Sequence, residues 1–283
     1  MKASRLFLGV AFRTRGVEIV DRVEFPPIPI RNDELDTRGY HGIEFDHTDP
    51  RGSEPLVDVG SHGIAVVPYY HLSDGSNPPY GRQIKGSLAR TWCRAGIVPM
   101  LQAANAALAE NGCELVVYDA YRSISTQRDL WSWAVGKAAQ DYPELSQPEL
   151  EARTRQYCSD PRHFDPENET TWPTHSTGAS VDVVLRSLQT GEGLDMGAAF
   201  DDLSAISHTD YLEREQRAGR IEPDNTALLN RRLLYWVMRK VGFTNYASEY
   251  WHFDYGNQMY MFNKQLESGT QCFAWYGYHA VPQ

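Results

Sequence analysis

The sequence predicts an α+β fold with a largely antiparallel central sheet flanked by helices. Strand-like segments and amphipathic helices are mixed along the chain, without the regular βαβ alternation that is typical of parallel sheets. Of the 283 residues, 41% are apolar and 23% are charged, which is the composition of an ordinary globular protein. The length suits one large domain or two small ones, and such a chain can bury a sizeable core.

Five short segments are predicted to be strands because they are rich in apolar, β-branched or aromatic residues. The second is a nearly continuous apolar run, as expected of a strand that is buried on both faces. The last two are aromatic and lie close together near the end of the chain. In order, the segments are Gly63–Val67, Glu114–Tyr118, Ala179–Leu185, Phe243–Tyr246 and Tyr250–Tyr255.

Two helices are predicted in the first half of the chain from their capping residues. Pro99 suits the first turn of a helix over Val98–Glu110, because a proline there removes no helical hydrogen bond. Either Ser123 or Ser125 can cap a second helix that runs to about Gln140, since a serine hydroxyl accepts from the free backbone N–H groups of a first turn.

The second half of the chain contains a surface excursion and one strong helix. Residues 141–170 are polar, charged and punctuated by prolines, which indicates a surface insert with a helix around Pro148–Tyr157. Asp224 or Asn225 can cap an amphipathic helix over Thr226–Val241, and a glycine follows that helix.

The two ends of the chain differ in composition from its middle. Residues 1–60 are rich in Pro, Gly, Asp and Arg, and we interpret them as an N-terminal extension packed on a main domain of residues 61–283. The opening apolar run lacks a full signal-peptide core and cleavage site, so we expect a first strand there, and Val17–Val23 is also strand-like. The tail over residues 257–283 is expected to form a final hairpin or a cover.

Charge and cysteine content exclude several classes of function. The formal net charge of −10 disfavours nucleic acid and anionic membrane surfaces as partners, because both require clustered Lys and Arg. The four cysteines show no CxxC spacing and are expected to be reduced thiols. No stretch approaches the ~20 apolar residues of a membrane span, so the expected location is the cytoplasm. The sequence does not predict an oligomeric state.

Two polar segments combine residues that bind metal ions. One carries His175 and Asp182, and the other carries Glu249 and His252. Zinc in hydrolases takes three protein ligands and keeps one position open, and two imidazoles with one carboxylate leave the ion a net positive charge that polarises water. On a straight strand, residues seven apart face opposite sides, so Gly178 is expected to supply a turn that brings His175 and Asp182 together.

Four motifs follow one another along the chain, namely Asp-Ala-Tyr-Arg at 119–122, HxxGxxxD at 175–182, MGxxFD at 196–201 and ExWH at 249–252. In order and approximate spacing they resemble those of a known family of zinc peptidases, the D-alanyl-D-alanine dipeptidases. The family includes the dipeptidase of vancomycin resistance and shares its fold with DD-carboxypeptidases. The resemblance covers roughly residues 60–260, and it implies a Hedgehog/DD-peptidase-like fold with residues 61–283 as the zinc peptidase catalytic domain.

The resemblance implies roles for the metal ligands and the catalytic groups. His175, Asp182 and His252 would bind one zinc ion per chain. Glu249 would serve as general acid and base on zinc-activated water, and its pKa is expected to be raised by an apolar surround. Arg122 would stabilise the oxyanion together with the metal, although it could also be a structural partner of the nearby Asp119 carboxylate.

The resemblance also implies a small peptide substrate. Asp201 matches the position that receives the free ammonium group of a dipeptide, and Tyr70 is expected to touch the same group. The implied reaction is hydrolysis of D-Ala-D-Ala or a similar dipeptide, in cell-wall biogenesis or degradation. Pro173 stands where the family pattern has a serine, and this departure lies beside the substrate cleft, so it bears on substrate choice.

Two other functions remain open at the level of sequence. The enzyme could be a peptidoglycan DD- or LD-carboxypeptidase, which would use the same chemistry on a longer substrate. It could instead be a non-enzymatic zinc-binding module, as Hedgehog signalling domains are, although the presence of both Glu249 and Arg122 argues for an active site. His41, Asp46 and His47 could indicate a second metal site, but their Gly/Asp/Pro-rich setting favours a loop.

Overall fold

A central five-stranded sheet organises the computed structural model, which describes residues 25–31 and 39–281. The predicted first strand and Val17–Val23 lie outside the described residues. Within the described ranges, β1 and β3 form a two-stranded sheet, and the central sheet has the order β2-β4-β5-β7-β6. The strands are β1 Leu56–Asp58, β2 Ala65–Val66, β3 Trp92–Arg94, β4 Cys113–Asp119, β5 Ser180–Ser187, β6 Thr244–Asn245 and β7 His252–Asp254.

Strand directions confirm a largely antiparallel central sheet. The pairs β4–β5, β5–β7 and β6–β7 are antiparallel, whereas β2 joins the edge of the sheet parallel to β4 through only two residue pairs. The sheet is therefore mixed rather than purely antiparallel. The register of β4 against β5 shifts between Val117 and Asp119, and such an irregularity can re-aim the side chain that follows it.

Four of the six helices in the described ranges were predicted, and the helices at Tyr211–Arg217 and Gln258–Ser268 were not. Ser123 accepts from the backbone N–H of Thr126, and Asn225 accepts from that of Leu228, so these two residues are the caps among the alternatives. Of the two alternatives for the tail, a hairpin or a cover, the hairpin is wrong, because the Asn257 side chain caps a helix there. The helices are α1 Val98–Ala109, α2 Ile124–Asp141, α3 Gln147–Thr154, α4 Tyr211–Arg217, α5 Thr226–Lys240 and α6 Gln258–Ser268.

The two faces of β5 separate the core from the polar cleft. Val181, Val183 and Leu185 are fully buried in the main hydrophobic core, where α1 packs on β4 and α5 contacts both α1 and β5. Because successive strand residues point to opposite faces, Asp182 must face away from this core. No helix in the described part of the chain is long and apolar enough to cross a lipid bilayer.

Candidate active site

Three acidic and imidazole side chains form a row across the sheet. Asp182 in β5 pairs directly with His252 in β7, and on its other side it pairs with Asp119 in β4. Residues directly opposite each other in neighbouring strands share one face of the sheet. Strand pairing therefore places these three side chains together without help from any loop.

His175 joins the row from a short 3-10 helix rather than from a strand. This turn spans Thr174–Thr177 and ends at Gly178, whose φ of 70° lies in the left-handed region. A Cβ on Gly178 would also lie 2.3 Å from a methyl group of Leu56, so both conformation and space favour glycine. The turn expected at Gly178 is confirmed, and it lets residues seven apart meet on one side of the sheet.

Hydrogen bonds fix the orientation of both imidazole rings, so that one nitrogen of each ring faces a nitrogen of the other. Nδ1 of His175 lies 2.7 Å from the carbonyl oxygen of Ala120, which can only accept, so Nδ1 carries the proton. Nε2 of His252 lies 3.0 Å from the Asp254 carboxylate, so that nitrogen donates as well. The remaining nitrogens, Nε2 of His175 and Nδ1 of His252, are 3.1 Å apart, and a neutral ring presents a lone pair at each.

These lone pairs and the Asp182 carboxylate form a donor set that fits a metal ion. Asp182 oxygens lie 3.3 Å from His175 Nε2 and 3.1 Å from His252 Nδ1. Oδ1 of Asp182 is buried and has no well-aligned hydrogen bond, and all three ligand atoms lie within 4.8 Å of one another. Two imidazoles and one carboxylate are a common ligand set of catalytic zinc, and a cation relieves the repulsion between the facing lone pairs.

Asp254 orients His252 and was not identified from the sequence. Its carboxylate accepts from the Ser180 hydroxyl at 2.7 Å and from the Asn257 amide at 2.8 Å. Burial alone would raise the pKa of Asp254, but His252 and these two donors outweigh burial and lower it. A carboxylate behind a metal-binding histidine fixes the tautomer and orientation of the ring. The spacing of two residues between His252 and Asp254 in one strand is the signal that could have revealed it.

Glu249 lies at the edge of the donor set. A tight turn through Tyr250 and Trp251 brings the backbone N–H of His252 to the Glu249 carbonyl at 3.3 Å, and the Glu249 carboxylate lies 3.7 Å from His252 Nδ1. Burial is the main reason that the pKa of Glu249 is raised to about 8. A bound divalent cation would lower this pKa again, which places the carboxyl group in the range useful for proton transfer near neutral pH.

Arg122 links the donor set to the substrate side of the cleft. Its Nε donates to Asp119 at 2.8 Å, and its Nη2 donates to Asp182 at 3.2 Å and to the Tyr70 hydroxyl at 3.1 Å. Nη1 donates to the side chain of Gln127 at 3.0 Å. The expected contact with Asp119 is thus present, but the guanidinium also borders the cleft with its orientation fixed.

Asp201 lies in the cleft in an unusual backbone conformation. Its φ of 59° is left-handed, and one carboxylate oxygen accepts from the hydroxyls of Tyr70 and Tyr80, both at 2.9 Å. Burial and the Asp182 charge raise the pKa of Asp201 to about 7, against the lowering effect of Arg122. An incoming ammonium group would favour the ionised carboxylate, so the site is suited to a cation.

One cleft of about 270 Å³ is lined by all seven residues singled out from the sequence. They are Tyr70, Arg122, His175, Asp182, Asp201, Glu249 and His252. The other lining residues were not identified as site residues, and Tyr80, Trp133 and His41 are among them. His41 was interpreted as a loop residue, and Trp133 falls within a predicted helix. Nothing local in either pattern reveals a tertiary contact with distant parts of the chain.

The chain is similar in sequence to known members of one peptidase family. The sequence model of a peptidase family described as D-ala-D-ala dipeptidase matches residues 76–269. A D-alanyl-D-alanine dipeptidase of Synechocystis sp. is 31% identical over 237 residues, which cover 79% of this chain and 91% of the relative. One from Escherichia coli is 32% identical over 144 residues, covering 51% and 56%.

Solved structures show weaker similarity. The structure described as VanYB in complex with D-Alanine-D-Alanine covers 65% of this chain and 81% of its own, with 15% identity and a TM-score of 0.38. Similarity at this level carries no functional argument. The sequence family, the mixed sheet and the His–Asp–His donor set nevertheless define a zinc metallopeptidase. Within that class, the chain belongs to the D-ala-D-ala dipeptidase family.

Proposed function

We propose that this enzyme hydrolyses the free dipeptide D-Ala-D-Ala and releases D-Ala. The observation that carries the proposal is that the donor set, the buried Glu249 and the tyrosine-held Asp201 line one cleft of about 270 Å³. This volume lies at or below the low end of small-molecule sites, which suits a dipeptide better than a polymer. Membership of the D-ala-D-ala dipeptidase family supports the same substrate.

We assign the chemistry to four groups around the scissile bond. Zinc, held by His175, Asp182 and His252, would act as a Lewis acid that polarises the carbonyl and acidifies water. Glu249 removes a proton from the attacking water and returns it to the nitrogen of the leaving D-Ala. The Arg122 guanidinium stabilises the negative charge that develops on the carbonyl oxygen.

Substrate orientation is assigned to the other end of the cleft. Asp201 receives the substrate ammonium group, and Tyr70 holds that carboxylate together with Tyr80. A substrate without a free amino group would leave the buried Asp201 carboxylate without a cationic partner, at a cost of roughly 1–3 kcal/mol in binding. This arrangement favours free dipeptides over peptidoglycan stems, in which the corresponding nitrogen is acylated.

We further propose the domain division and the location that the sequence indicates. Residues 1–60 are assigned to an extension on a catalytic domain of residues 61–283, with a surface insert at 141–170. The pairing of β1 with β3 and the bond from Asp46 N–H to the Ala274 carbonyl support close packing of the extension. The cytoplasm is the proposed location, since all four cysteines are free thiols.

The test is a chirality and end-group panel with zinc-loaded protein. We expect release of D-Ala from D-Ala-D-Ala, little from L-Ala-L-Ala, and little from N-acetyl-D-Ala-D-Ala or a muropeptide ending in the same dipeptide. Glu249→Ala protein serves as the control for contaminating peptidases. Preferred cleavage of the muropeptide would show a carboxypeptidase instead, and absence of cleavage of any dipeptide would refute the proposal.

A further inference from the structure

His41 brings an unpaired imidazole into the cleft from the N-terminal part of the chain. The residue lines the cleft, and its Nδ1 is buried without a hydrogen-bond partner among the described residues. Buried polar atoms are nearly always paired in folded proteins. In a residue that lines a binding cleft, a ring nitrogen without a partner therefore points to a ligand group that could pair with it.

The position of His41 is built by the surrounding fold. Its ring lies against that of Tyr40, with centroids 3.9 Å apart and the ring planes tilted by 31°. The short helix Gly39–Gly42 packs against α6 and against the turn Glu169–Thr171, and the Gln258 side chain donates to the Ile43 carbonyl at 2.8 Å. These contacts fix the imidazole relative to the sheet that carries the donor set.

The other basic side chains of the cleft already have acidic partners. Arg122 pairs with Asp119 and Asp182, and Arg155 pairs with Glu151 and Asp160. Among the cationic and imidazole groups that line the described cleft outside the donor set, His41 thus stands apart in having no acceptor.

A dipeptide carries an ammonium group at one end and a carboxylate at the other, and the two ends need different walls of the cleft. Asp201 belongs to the wall formed with Tyr70 and Tyr80. His41 belongs to the wall formed by α6 and by the turn at residues 169–171, close in sequence to Pro173.

We propose that His41 binds the C-terminal carboxylate of the dipeptide, so that the N-terminal segment completes the substrate site. This inference rests on the proposed function. Burial lowers the pKa of His41 to about 4, so in the free protein the ring is neutral and offers a single N–H. A bound carboxylate would accept from that N–H and would favour the protonated form.

The experiment compares D-Ala-D-Ala with its C-terminal amide in wild type, His41→Ala and His41→Asn. A hydrogen bond to a charged group is lost in His41→Ala, and we expect KM for D-Ala-D-Ala to rise roughly 10- to 100-fold while kcat changes little. The amide should show no such change. His41→Asn keeps a donor near the position of Nδ1 and should restore part of the loss. Binding of D-Ala-D-Ala to the Glu249→Ala protein, measured by calorimetry, should weaken by a similar factor.

The matched control is His47→Ala, which removes an exposed histidine of the same segment that pairs with Glu169. It should leave both substrates unaffected. Equal effects of His41→Ala on the dipeptide and the amide, or no effect on either, would overturn the inference while D-Ala-D-Ala hydrolysis by the wild type still supports the proposed function. A wild type that neither binds nor cleaves any free dipeptide overturns both.

Discussion

Buried charge is treated differently in two regions of this molecule. Arg94 in β3 is 3% exposed, and it donates to the carbonyl oxygens of Thr177 at 2.7 Å, Glu54 at 2.7 Å and Gly277 at 2.8 Å. In the metal-facing region, by contrast, Asp182 Oδ1 has no well-aligned hydrogen bond. The imidazole nitrogens of His175 and His252 there face each other at 3.1 Å.

The two regions differ in whether their buried polar atoms have hydrogen-bond partners, and this difference separates the scaffold from the site. A buried arginine whose three guanidinium nitrogens all donate to carbonyl oxygens joins three chain segments and needs no further partner. Converging lone pairs and a buried carboxyl group with a raised pKa are unfavourable until a cation or substrate arrives, and such perturbed groups cluster at functional sites. The N-terminal segment, the His175 turn and the tail are therefore joined by one side chain that takes no part in the chemistry.

The largest effect is expected at Glu249, on the site side of the comparison. Replacement of Glu249 by Ala removes the proposed proton carrier, and kcat should fall on the order of 10²- to 10⁴-fold, as for other general acid/base residues. Zinc content should stay near one per chain, because the three ligands are untouched. Single-turnover assays and metal analysis on the same preparation check both statements, and loss of zinc in this variant would contradict the division of roles.

The effect at Arg122 should be the next largest, because we propose that this residue stabilises the charge that develops on the carbonyl oxygen. Arg122→Ala removes a fixed cation from the cleft, and kcat/KM should fall roughly 10²- to 10³-fold. Arg122→Lys keeps the charge but loses the forked geometry that reaches Asp119 and Tyr70 together, so it should recover only a small part. Recovery of nearly full activity by lysine would show that geometry matters little here. If Arg122 had a purely structural role, its replacement would instead lower the melting temperature, and the activity per folded molecule would stay unchanged.

The sequence patterns predicted the strands that carry the donor set more completely than they predicted the elements and residues around that set. Gly178 indicated the turn between His175 and Asp182, because that turn needs a left-handed backbone conformation that glycine adopts readily. The parallel edge strand β2 has two residue pairs, too few to leave a pattern. The aromatic and methionine residues at the start of α6 look like a strand, and only the Asn257 cap distinguishes them. His41 lies 134 positions before His175, so its place in the cleft depends on tertiary packing.

On the scaffold side, removal of Arg94 should cost stability rather than chemistry. Arg94→Met keeps much of the volume but leaves three carbonyl groups without their donor, so the free energy of unfolding should fall by about 3 kcal/mol. In a chain of this size the melting temperature then drops by roughly 5–10 °C. Arg90→Met is the matched control, since Arg90 is 68% exposed and lies 3.8 Å from its only ion-pair partner among the described residues, Asp58. Calorimetry of the zinc-loaded variants, with activity measured per folded molecule, decides whether the two arginines differ as expected.

The smallest effect is expected at Asp254, where the two regions meet. This carboxylate is fully buried and satisfied by Ser180 and Asn257, as a scaffold group would be, yet it also accepts from the metal-facing His252. Asp254→Asn can keep a hydrogen bond to Nε2 but loses the charge, so zinc affinity should weaken by about 10- to 100-fold. Competition with a chelator measures that loss. With saturating zinc, kcat should return to within a few-fold of wild type, because Asp254 acts through His252 and does not touch the substrate. If saturating zinc leaves kcat as low as in Glu249→Ala, Asp254 belongs to the reacting groups of the site and not to the scaffold.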